Sequence, residues 1–224
     1  MSALIKAIAQ NSIAEEAGIE SGDNLLSVNG QEVADILSYR FLTAGEEVSL
    51  EIQKKNGDIE IIEIINDAFE DLGLEFETAL FDRPRSCRNK CIFCFVDQLP
   101  KNMRKTLYFK DDDYRLSTLM GNYITLTNLS EKDIKTITDM RLPRINVSVH
   151  AVDPRLRRNM LGNNNSDVMK IMKRFAEAGI AMNCQIVLCR DINDGVRLDE
   201  TVSALSELFR SEEHTSELQS RQVI

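Results

Sequence analysis

The 224-residue sequence lacks any apolar run that approaches the ~20 residues needed to span a membrane as a helix. It also lacks a positively charged start followed by an apolar core, the pattern of a secretory signal peptide. These two absences argue against the membrane-spanning and secreted classes. We therefore expect a cytoplasmic address, the default for such a chain.

Positive charge is the second shortage, with 27 Lys and Arg against 36 Asp and Glu and a formal net charge of −9. The imbalance offers no electrostatic reason to expect nucleic acid or an anionic membrane surface as a partner, although it leaves room for local basic patches. The hydrophobic fraction of 43% and the charged fraction of 28% are those of a globular protein. The length allows one large domain or two small ones.

The sequence contains five cysteines. In a reducing cytoplasm these are better explained as free thiols or metal ligands than as disulfides. Three of them, Cys87, Cys91 and Cys94, lie within one short string. Three thiolates can hold three irons of a 4Fe-4S cluster and leave the fourth iron open. A zinc site completed by His150 or another cysteine is the alternative, because zinc also binds thiolates.

The spacing of these cysteines, with Phe93 just before the last one, resembles the cluster loop of the radical S-adenosylmethionine (SAM) enzymes. The resemblance implies a 4Fe-4S cluster whose open iron chelates the amino and carboxylate groups of SAM. It further implies that an electron from the cluster cleaves SAM to a 5′-deoxyadenosyl radical, with an electron donor such as flavodoxin or ferredoxin as partner. By the same resemblance Phe93 lies over the adenine of SAM; the alternative is a core aromatic residue.

Residues 1–68 alternate short apolar runs with turn signals. A short helix is predicted from Ser12, which can cap it, to Gly18, which can end it. Asn29-Gly30 between two strand-like runs predicts a tight hairpin, and Asn56-Gly57-Asp58 predicts a second one. This segment resembles a PDZ domain of the bacterial type in the strings Ser12-Ile-Ala, Ala17-Gly-Ile and Gly22-Asp-Asn-Leu-Leu-Ser-Val-Asn-Gly.

PDZ domains usually bind a peptide by adding it to the edge of a sheet, beside a carboxylate-binding loop. No string similar to the Gly-Leu-Gly-Phe of that loop is identified in the sequence, and the chain begins at a strand that would normally follow the loop. Two roles therefore stay open for this segment. One is peptide binding, and the other is packing against the next domain or its substrate.

Strand and helix signals alternate over residues 69–209, which favours parallel strands covered by helices. Strands are predicted at 74–81, 123–127, 145–149 and 182–189. The resemblance to radical SAM enzymes implies an incomplete (β/α)6 barrel in which the cysteine string follows the first strand. The predicted fold class is α/β plus mainly β, with a PDZ-like domain followed by this partial barrel. Chemistry is expected at the C-terminal ends of the strands.

Polar residues at the predicted strand ends are the candidate contacts for SAM. The Gly-Gly-Glu motif that usually binds the SAM amino group in this family is absent, and Thr127 and Asn128 stand in its place. Ser148 and His150, two apart on a strand, point the same way, and either can contact SAM or substrate. Gln185 needs a polar partner within an apolar strand, which SAM can supply. A hydrogen-bonded structural role for His150 is favoured over a proton donor.

Two further cysteines and one charged run are given structural interpretations. Cys184 and Cys189 are predicted to pack as small apolar side chains. The run Lys110–Arg115 is predicted to form a solvated loop, with a place at a substrate mouth as the alternative.

The chain as a whole resembles the DUF512 group of radical SAM proteins, in which an N-terminal PDZ domain precedes the cluster domain. The resemblance implies an enzyme that cleaves SAM and acts on an unknown substrate. The alternative from a different class is a PDZ adaptor with a structural metal site and no catalysis. The strings that carry the match are Cys94–Pro100, Tyr108–Ser117, Gly121–Leu129 and Ile186–Cys189.

Residues 210–224 resemble the translation of a common sequencing adapter, so we expect them to be a non-native tail. Only four of six barrel strands are predicted before this point. We therefore expect the natural protein to be longer, and this fragment alone to be inactive.

Overall fold

The computed structural model describes residues 2–210. The chain divides after Pro84 into two compact units, one built on an antiparallel sheet and one on a parallel sheet. Apart from Arg210 at the end of the last helix, the predicted tail at 210–224 lies outside the described residues. None of the helices within residues 2–210 combines the length and the hydropathy of a membrane-spanning segment. The domain boundaries at 68/69 and 209/210 stay predictions.

The N-terminal unit is an antiparallel sheet with two short helices. The elements are β1 (Ala3–Ile8), α1 (Ile13–Glu16), β2 (Asn24–Val28), β3 (Gln31–Glu32), α2 (Ile36–Leu42), β4 (Glu47–Gln53), β5 (Ile59–Ile65) and β6 (Leu74–Phe76). The strands are ordered β5-β4-β2-β1-β6, and β3 pairs with β2. On β4, buried Val48, Leu50 and Ile52 alternate with more exposed residues, as expected for a strand with one face in the core.

The predicted turns and the predicted helix cap of this unit are confirmed. Asn29 and Gly30 have φ values of 51° and 70° and connect β2 to β3, the left-handed pair that a tight hairpin requires. Gly57, with φ of 95°, lies in the turn between β4 and β5. The Ser12 side chain accepts a hydrogen bond from the backbone N–H of Glu15 and so caps α1.

The stretch predicted to be the first strand of the parallel series belongs to the antiparallel sheet instead. β6 pairs with β1, with Phe76 opposite Ile5, and the Phe76 ring packs edge-on against Tyr39 at 5.0 Å. Alternating apolar residues identify a half-buried strand but not its partner, so the predicted role is wrong. Residues 73–76 also read Gly-Leu-Glu-Phe, which differs from Gly-Leu-Gly-Phe at one residue. The prediction that no similar string is present is therefore wrong as well.

The second unit begins with a 3-10 helix (Lys105–Tyr108), followed by α3 (Tyr114–Met120), β7 (Tyr123–Ile124), α4 (Glu131–Asp139), β8 (Arg144–Ser148), α5 (Pro154–Leu161), α6 (Val168–Glu177), β9 (Ala181–Gln185) and α7 (Val196–Arg210). Its strands form the parallel sheet β7-β8-β9. Residues 145–148 of β8 are all buried, as expected for a parallel strand that is covered on both faces. The three strands agree with the predicted βα alternation, while a (β/α)6 barrel stays a prediction.

Local sequence signals define the helices of this unit well. Ser130 and Asp133 form the predicted capping box at the start of α4, each accepting a backbone N–H of the other. α6 presents its predicted apolar face to the core, with Ile171, Met172 and Phe175 among its buried residues, and the chain turns at Gly179 with φ of 73°.

Gly73 allows the chain to pass close to Ser12, and its replacement should be costly. It has φ of +86°, and an added Cβ would overlap the Ser12 side chain. Gly57 has a similar φ of +95° with open space around it. We expect Gly57→Ala to cost about 1 kcal/mol of unfolding free energy through backbone strain. Gly73→Ala should cost about 2 kcal/mol more through overlap. Urea denaturation measures both, and equal losses would contradict the close approach.

Candidate metal and cofactor site

The three cysteines of the predicted metal motif open onto one cavity of about 490 Å³. The cavity lies at the C-terminal edge of the parallel sheet, where Ser148 ends β8 and Gln185 ends β9, and both residues line it. Phe93 and His150 also belong to its wall. The structure thus brings together the cysteines and most of the residues predicted to contact SAM, in the position where strand-helix folds usually carry chemistry.

The cysteine loop, residues 85–95, is held at its beginning by a short antiparallel pairing. The Cys87 N–H donates to the Lys110 carbonyl at 2.7 Å, and the Asp112 N–H donates to the Arg85 carbonyl at 3.2 Å. Ser86 and Asp111 form the β-bridge between these two contacts. Backbone hydrogen bonds therefore fix the position of the main chain at Cys87, the first metal-ligand candidate.

The middle of the cysteine loop is held by the buried side chain of Asn89. Its amide nitrogen donates to Thr125 Oγ1 at 2.9 Å, and its oxygen accepts from Thr127 Oγ1 at 2.9 Å and from Asn163 Nδ2 at 2.6 Å. Its backbone N–H donates to Cys87 Sγ at 3.4 Å. This last bond favours the charged thiolate, the form of cysteine that binds metals.

The end of the cysteine loop rests on the last turn of α5. The Lys90 N–H donates to the Leu161 carbonyl at 2.8 Å, and the Ile92 N–H donates to the Met160 carbonyl at 3.0 Å. Gly162 follows the helix with φ of +60°, and a Cβ at this position would lie 3.0 Å from the Lys90 carbonyl oxygen. Carbonyls in the last turn of a helix have no partners within the helix, and here two of them accept hydrogen bonds from the cysteine loop and anchor it.

A buried arginine joins α5 to the ends of two strands. Arg157 is 1% exposed, and its guanidinium donates to the carbonyls of Val149 at 2.8 Å, Thr125 at 2.7 Å and Ser148 at 2.9 Å. Burial lowers the pKa of Arg157 to about 10, although the nearby Asp112 carboxylate opposes the shift. The side chain stays charged at neutral pH and carries its charge next to the cavity wall.

The thiols are close enough to influence one another. The pKa of Cys91 is raised to about 12. Burial is the main cause, and the neighbouring thiols of Cys87 and Cys94 add to it. Burial also raises the pKa of Cys87. Without a metal these two side chains hold their protons at neutral pH, so a bound metal must displace those protons.

The donor set can be compared with the demands of a single metal ion and of the predicted iron-sulfur cluster. Among residues 2–210, no three His, Cys, Asp or Glu side chains are arranged around a common point that could hold one metal ion. A 4Fe-4S cluster makes a different demand, because each thiolate binds a separate iron. Three free thiols around one cavity, one of them accepting a backbone N–H, satisfy that demand.

His150 is a neutral, hydrogen-bonded residue rather than an acid at neutral pH. It is 3% exposed, and its Nδ1 accepts the Val187 N–H at 3.1 Å. The pKa of His150 is lowered to about 3, mainly by burial and secondly by the positive charge of Arg157. The ring lies 4.6 Å from that of Phe93, so the two form one wall of the cavity.

The other predicted SAM contacts divide into two groups. Ser148 and Gln185 line the cavity and bond to each other, with the hydroxyl 3.3 Å from the amide oxygen. Thr127 and Asn128 are not among the described residues that line it. Thr127 donates to Asn89, and the Asn128 side chain donates to the Asp112 carbonyl at 2.9 Å. Direct contact of these two residues with SAM stays a prediction.

The charged run after the cysteine loop is largely buried, so the prediction of a solvated loop is wrong. Asp112 is 1% exposed and accepts from the Thr125 N–H at 2.6 Å and hydroxyl at 2.7 Å. Asp113 is fully buried, and the Arg115 guanidinium donates to it twice, at 2.9 and 2.7 Å. Lys110 lies in the cavity wall. Hydrogen bonds and ion pairing compensate for the burial of these charges. The partners are distant or structural features that a run of charged residues in the sequence does not reveal.

Comparison with known families agrees with this geometry. A family model described as a Radical SAM-like domain matches residues 66–214, and a PDZ domain model matches residues 4–54. The first match covers more than half of the chain. The chain therefore belongs to the family of radical SAM-like proteins, with a PDZ domain at its N-terminus. A search of curated proteins found no significant match.

Loss of the buried arginine should destabilise the second unit. Arg157→Met leaves strand-end carbonyls without donors, so we expect a loss of about 3 kcal/mol or more in unfolding free energy. Arg158→Met is the matched control on the exposed side of the same helix and should change stability by less than about 0.5 kcal/mol. Urea denaturation distinguishes the two, and similar losses would contradict the role of Arg157.

His150 should make the cluster-free protein sensitive to acid. Its pKa is about 3 in the folded chain, against about 6.5 when unfolded. Between these values the unfolded chain binds a proton that the folded chain does not, so stability falls as pH drops. His150→Asn keeps an acceptor and tolerates the φ of 64°. From neutral pH to about pH 4 this variant should lose less stability than the parent chain. Equal losses of unfolding free energy in the variant and the parent chain over this pH range would contradict a neutral, buried imidazole at position 150.

Proposed function

We propose that this chain belongs to a radical SAM enzyme in which Cys87, Cys91 and Cys94 hold a 4Fe-4S cluster. The observation that carries the proposal is the convergence of three free thiols with the ends of two parallel strands at one cavity. The family match gives independent support. The substrate on which the enzyme acts is unknown.

When bound, such a cluster supplies one electron and an open iron that takes the amino and carboxylate groups of SAM. The protein must leave that position open. Of the described cysteines, only Cys87, Cys91 and Cys94 line the cavity, while Cys184 is buried within β9 and Cys189 lies outside the lining. The contacts of Asn89 and of α5 hold the loop that carries these three cysteines.

The rest of the cavity offers groups that suit SAM. Phe93 supplies an apolar ring for the adenine, in line with the family resemblance. Ser148 and Gln185 supply a hydroxyl and an amide for the ribose or carboxylate, once their mutual bond is exchanged for bonds to the ligand. Thr127 and Asn128 complete the proposed set only if they release the partners they have in this structure.

The finer family assignment is also part of the proposal. All four strings that resemble the DUF512 group contribute residues to the cavity lining, namely Cys94–Pro100, Tyr108–Ser117, Gly121–Leu129 and Ile186–Cys189. We propose membership of this group, a (β/α)6 partial barrel for the complete domain, and a cytoplasmic location. A reduced flavodoxin or ferredoxin is the proposed electron donor.

Removal of one thiol should abolish the cluster. After anaerobic reconstitution with iron and sulfide, the parent chain should bind about four irons per chain and show the visible absorbance of a 4Fe-4S cluster. Cys91→Ala should lose most of this iron, because it removes one of only three ligands. Cys189→Ala is the matched control, a half-buried cysteine outside the cavity, and should retain it.

Assay of 5′-deoxyadenosine with SAM and a reductant extends the test to chemistry. Its formation by the parent chain, and its loss in Cys91→Ala, would support the enzyme and would overturn the expectation that residues 1–224 alone are inactive. Stoichiometric zinc in place of iron, with no SAM cleavage, would instead support the adaptor with a structural metal site.

A further inference from the structure

The strand β5 forms one end of the antiparallel sheet and has one unpaired edge. Within residues 2–210 its only strand partner is β4, with which all seven residues from Ile59 to Ile65 pair in one unbroken register. The strand at the opposite end, β6, has three residues, and its pairing with β1 is interrupted by a register shift. β5 is therefore the long and regular edge of this sheet.

The edge of β5 lacks the usual protection against pairing with another chain. Natural proteins commonly protect a free edge with lysine, proline, a bulge or a very short strand, and β5 has none of these features. Ile59, Ile61 and Ile65 lie on its solvent-facing side and are 57%, 69% and 79% exposed. An exposed edge of this length and hydrophobicity is a template on which another strand can pair.

The hydrogen bonds of the β4–β5 hairpin determine which residues of β5 present their backbone to the free edge. The Lys54 N–H donates to the Asp58 carbonyl at 2.8 Å, and the Asn66 N–H donates to the Glu46 carbonyl at 2.7 Å. Directly opposite residues of an antiparallel pair alternate between bonded and unbonded pairs. The even-numbered residues of β5 therefore bond to β4, and the N–H and C=O groups of its odd-numbered residues point to the free edge.

We propose that the free edge of β5 pairs with the same edge of a second copy of this chain, antiparallel about a two-fold axis at Ile62. In this register Ile59 lies opposite the partner's Ile65, and Ile61 lies opposite the partner's Glu63. The four odd-numbered residues of each strand then all face a bonding partner, as the alternation requires. Each copy has one such edge and pairing consumes it, so the assembly closes at two copies.

The sequence of β5 is complementary to itself in this register. Glu60 and Glu63 are the charged residues of the strand, and each lies opposite an isoleucine of the partner. A slip of two residues in one direction places Glu63 opposite the partner's Glu63, and like charges directly opposite one another destabilise a sheet. A slip in the other direction places Ile65 opposite the partner's Gly57 and loses the contact between isoleucines. This self-complementarity favours a second copy over an unrelated strand.

The salt dependence of the dimer follows from the charge of the chain. Each copy has a net charge of −9, and Glu47 and Glu51 on β4 lie directly opposite Ile65 and Ile61. Salt screens the repulsion between two acidic copies, so the dimer should become tighter as the ionic strength rises. One strand per copy is a small interface, so we expect association in the micromolar range.

The test compares three variants of the cluster-free full chain under reducing conditions, which prevent the free thiols from cross-linking copies. Ile61→Lys and Ile61→Glu remove the same exposed apolar side chain and differ only in the charge that they bring to the partner's Glu63. Ile61→Pro removes an N–H that points to the free edge, and proline is tolerated at such positions. Sedimentation velocity over a range of concentrations measures association, and urea denaturation checks that each variant is folded.

The parent chain should show an equilibrium between monomer and dimer, with no larger species and a tighter dimer at high salt. Ile61→Lys should change the dissociation constant by less than about threefold, because its ammonium pairs with the partner's Glu63. Ile61→Glu should raise the dissociation constant at least about tenfold, because two pairs of like charges then face each other. Ile61→Pro should weaken the dimer at least as much as Ile61→Glu does.

Four outcomes would overturn the proposal. A parent chain that stays monomeric would leave the edge to a strand of another protein, and assembly beyond two copies would contradict closure about the two-fold axis. Equal weakening by Ile61→Lys and Ile61→Glu would show a non-specific apolar contact in place of the proposed register. A folded Ile61→Pro variant that still dimerises would exclude pairing at this edge. If Ile61→Pro does not fold, the lysine and glutamate variants decide.

Discussion

The guanidinium of Arg157 is the contact on which the geometry of the cavity depends. It bonds to carbonyls at the ends of two parallel strands and belongs to the helix whose last carbonyls hold the cysteine loop. Sheet, helix and loop are thus connected through backbone groups that would otherwise be buried without partners. Hydrogen bonds therefore link the strand ends to α5, and link α5 to Lys90 and Ile92 on either side of Cys91.

Burial of the side chains around the cavity determines their protonation states. In the absence of metal, burial raises the pKa of Cys87 and Cys91, so that part of the cavity holds neutral thiols beside the charged Arg157. In the proposed site, the thiols would lose their protons on binding iron, whose positive charge stabilises the thiolate form. Arg157 and Lys110 lie close to these cysteines and add positive charge. A neutral His150 adds an apolar wall rather than another charge.

Local signals were sufficient for the features that depend on few residues. The three-cysteine spacing, the Asn29-Gly30 hairpin and the caps at Ser12 and Ser130 each have a physical cause within a few positions of the chain. Features that depend on distant partners were not predictable in this way. An alternating strand can join either sheet, which is why β6 was assigned to the wrong one.

The buried charges show the same limit. Asp112 and Asp113 resemble a solvated run until Thr125 and Arg115 are known to face them. Asn89 and Arg157 carry no sequence signal that separates them from exposed polar residues, because their role is fixed by carbonyls and hydroxyls that come together only in the folded chain. Their contribution could be found only from the structure.

Electron paramagnetic resonance of the reconstituted, reduced protein tests the central claim most directly, because it observes the cluster and its open iron together. The account predicts the signal of a reduced 4Fe-4S cluster, and a clear change in that signal when SAM is added. A cluster signal that SAM leaves unchanged would contradict an open iron that binds SAM. The absence of any cluster signal in a protein with all three cysteines intact would contradict the assignment of the cysteine loop itself.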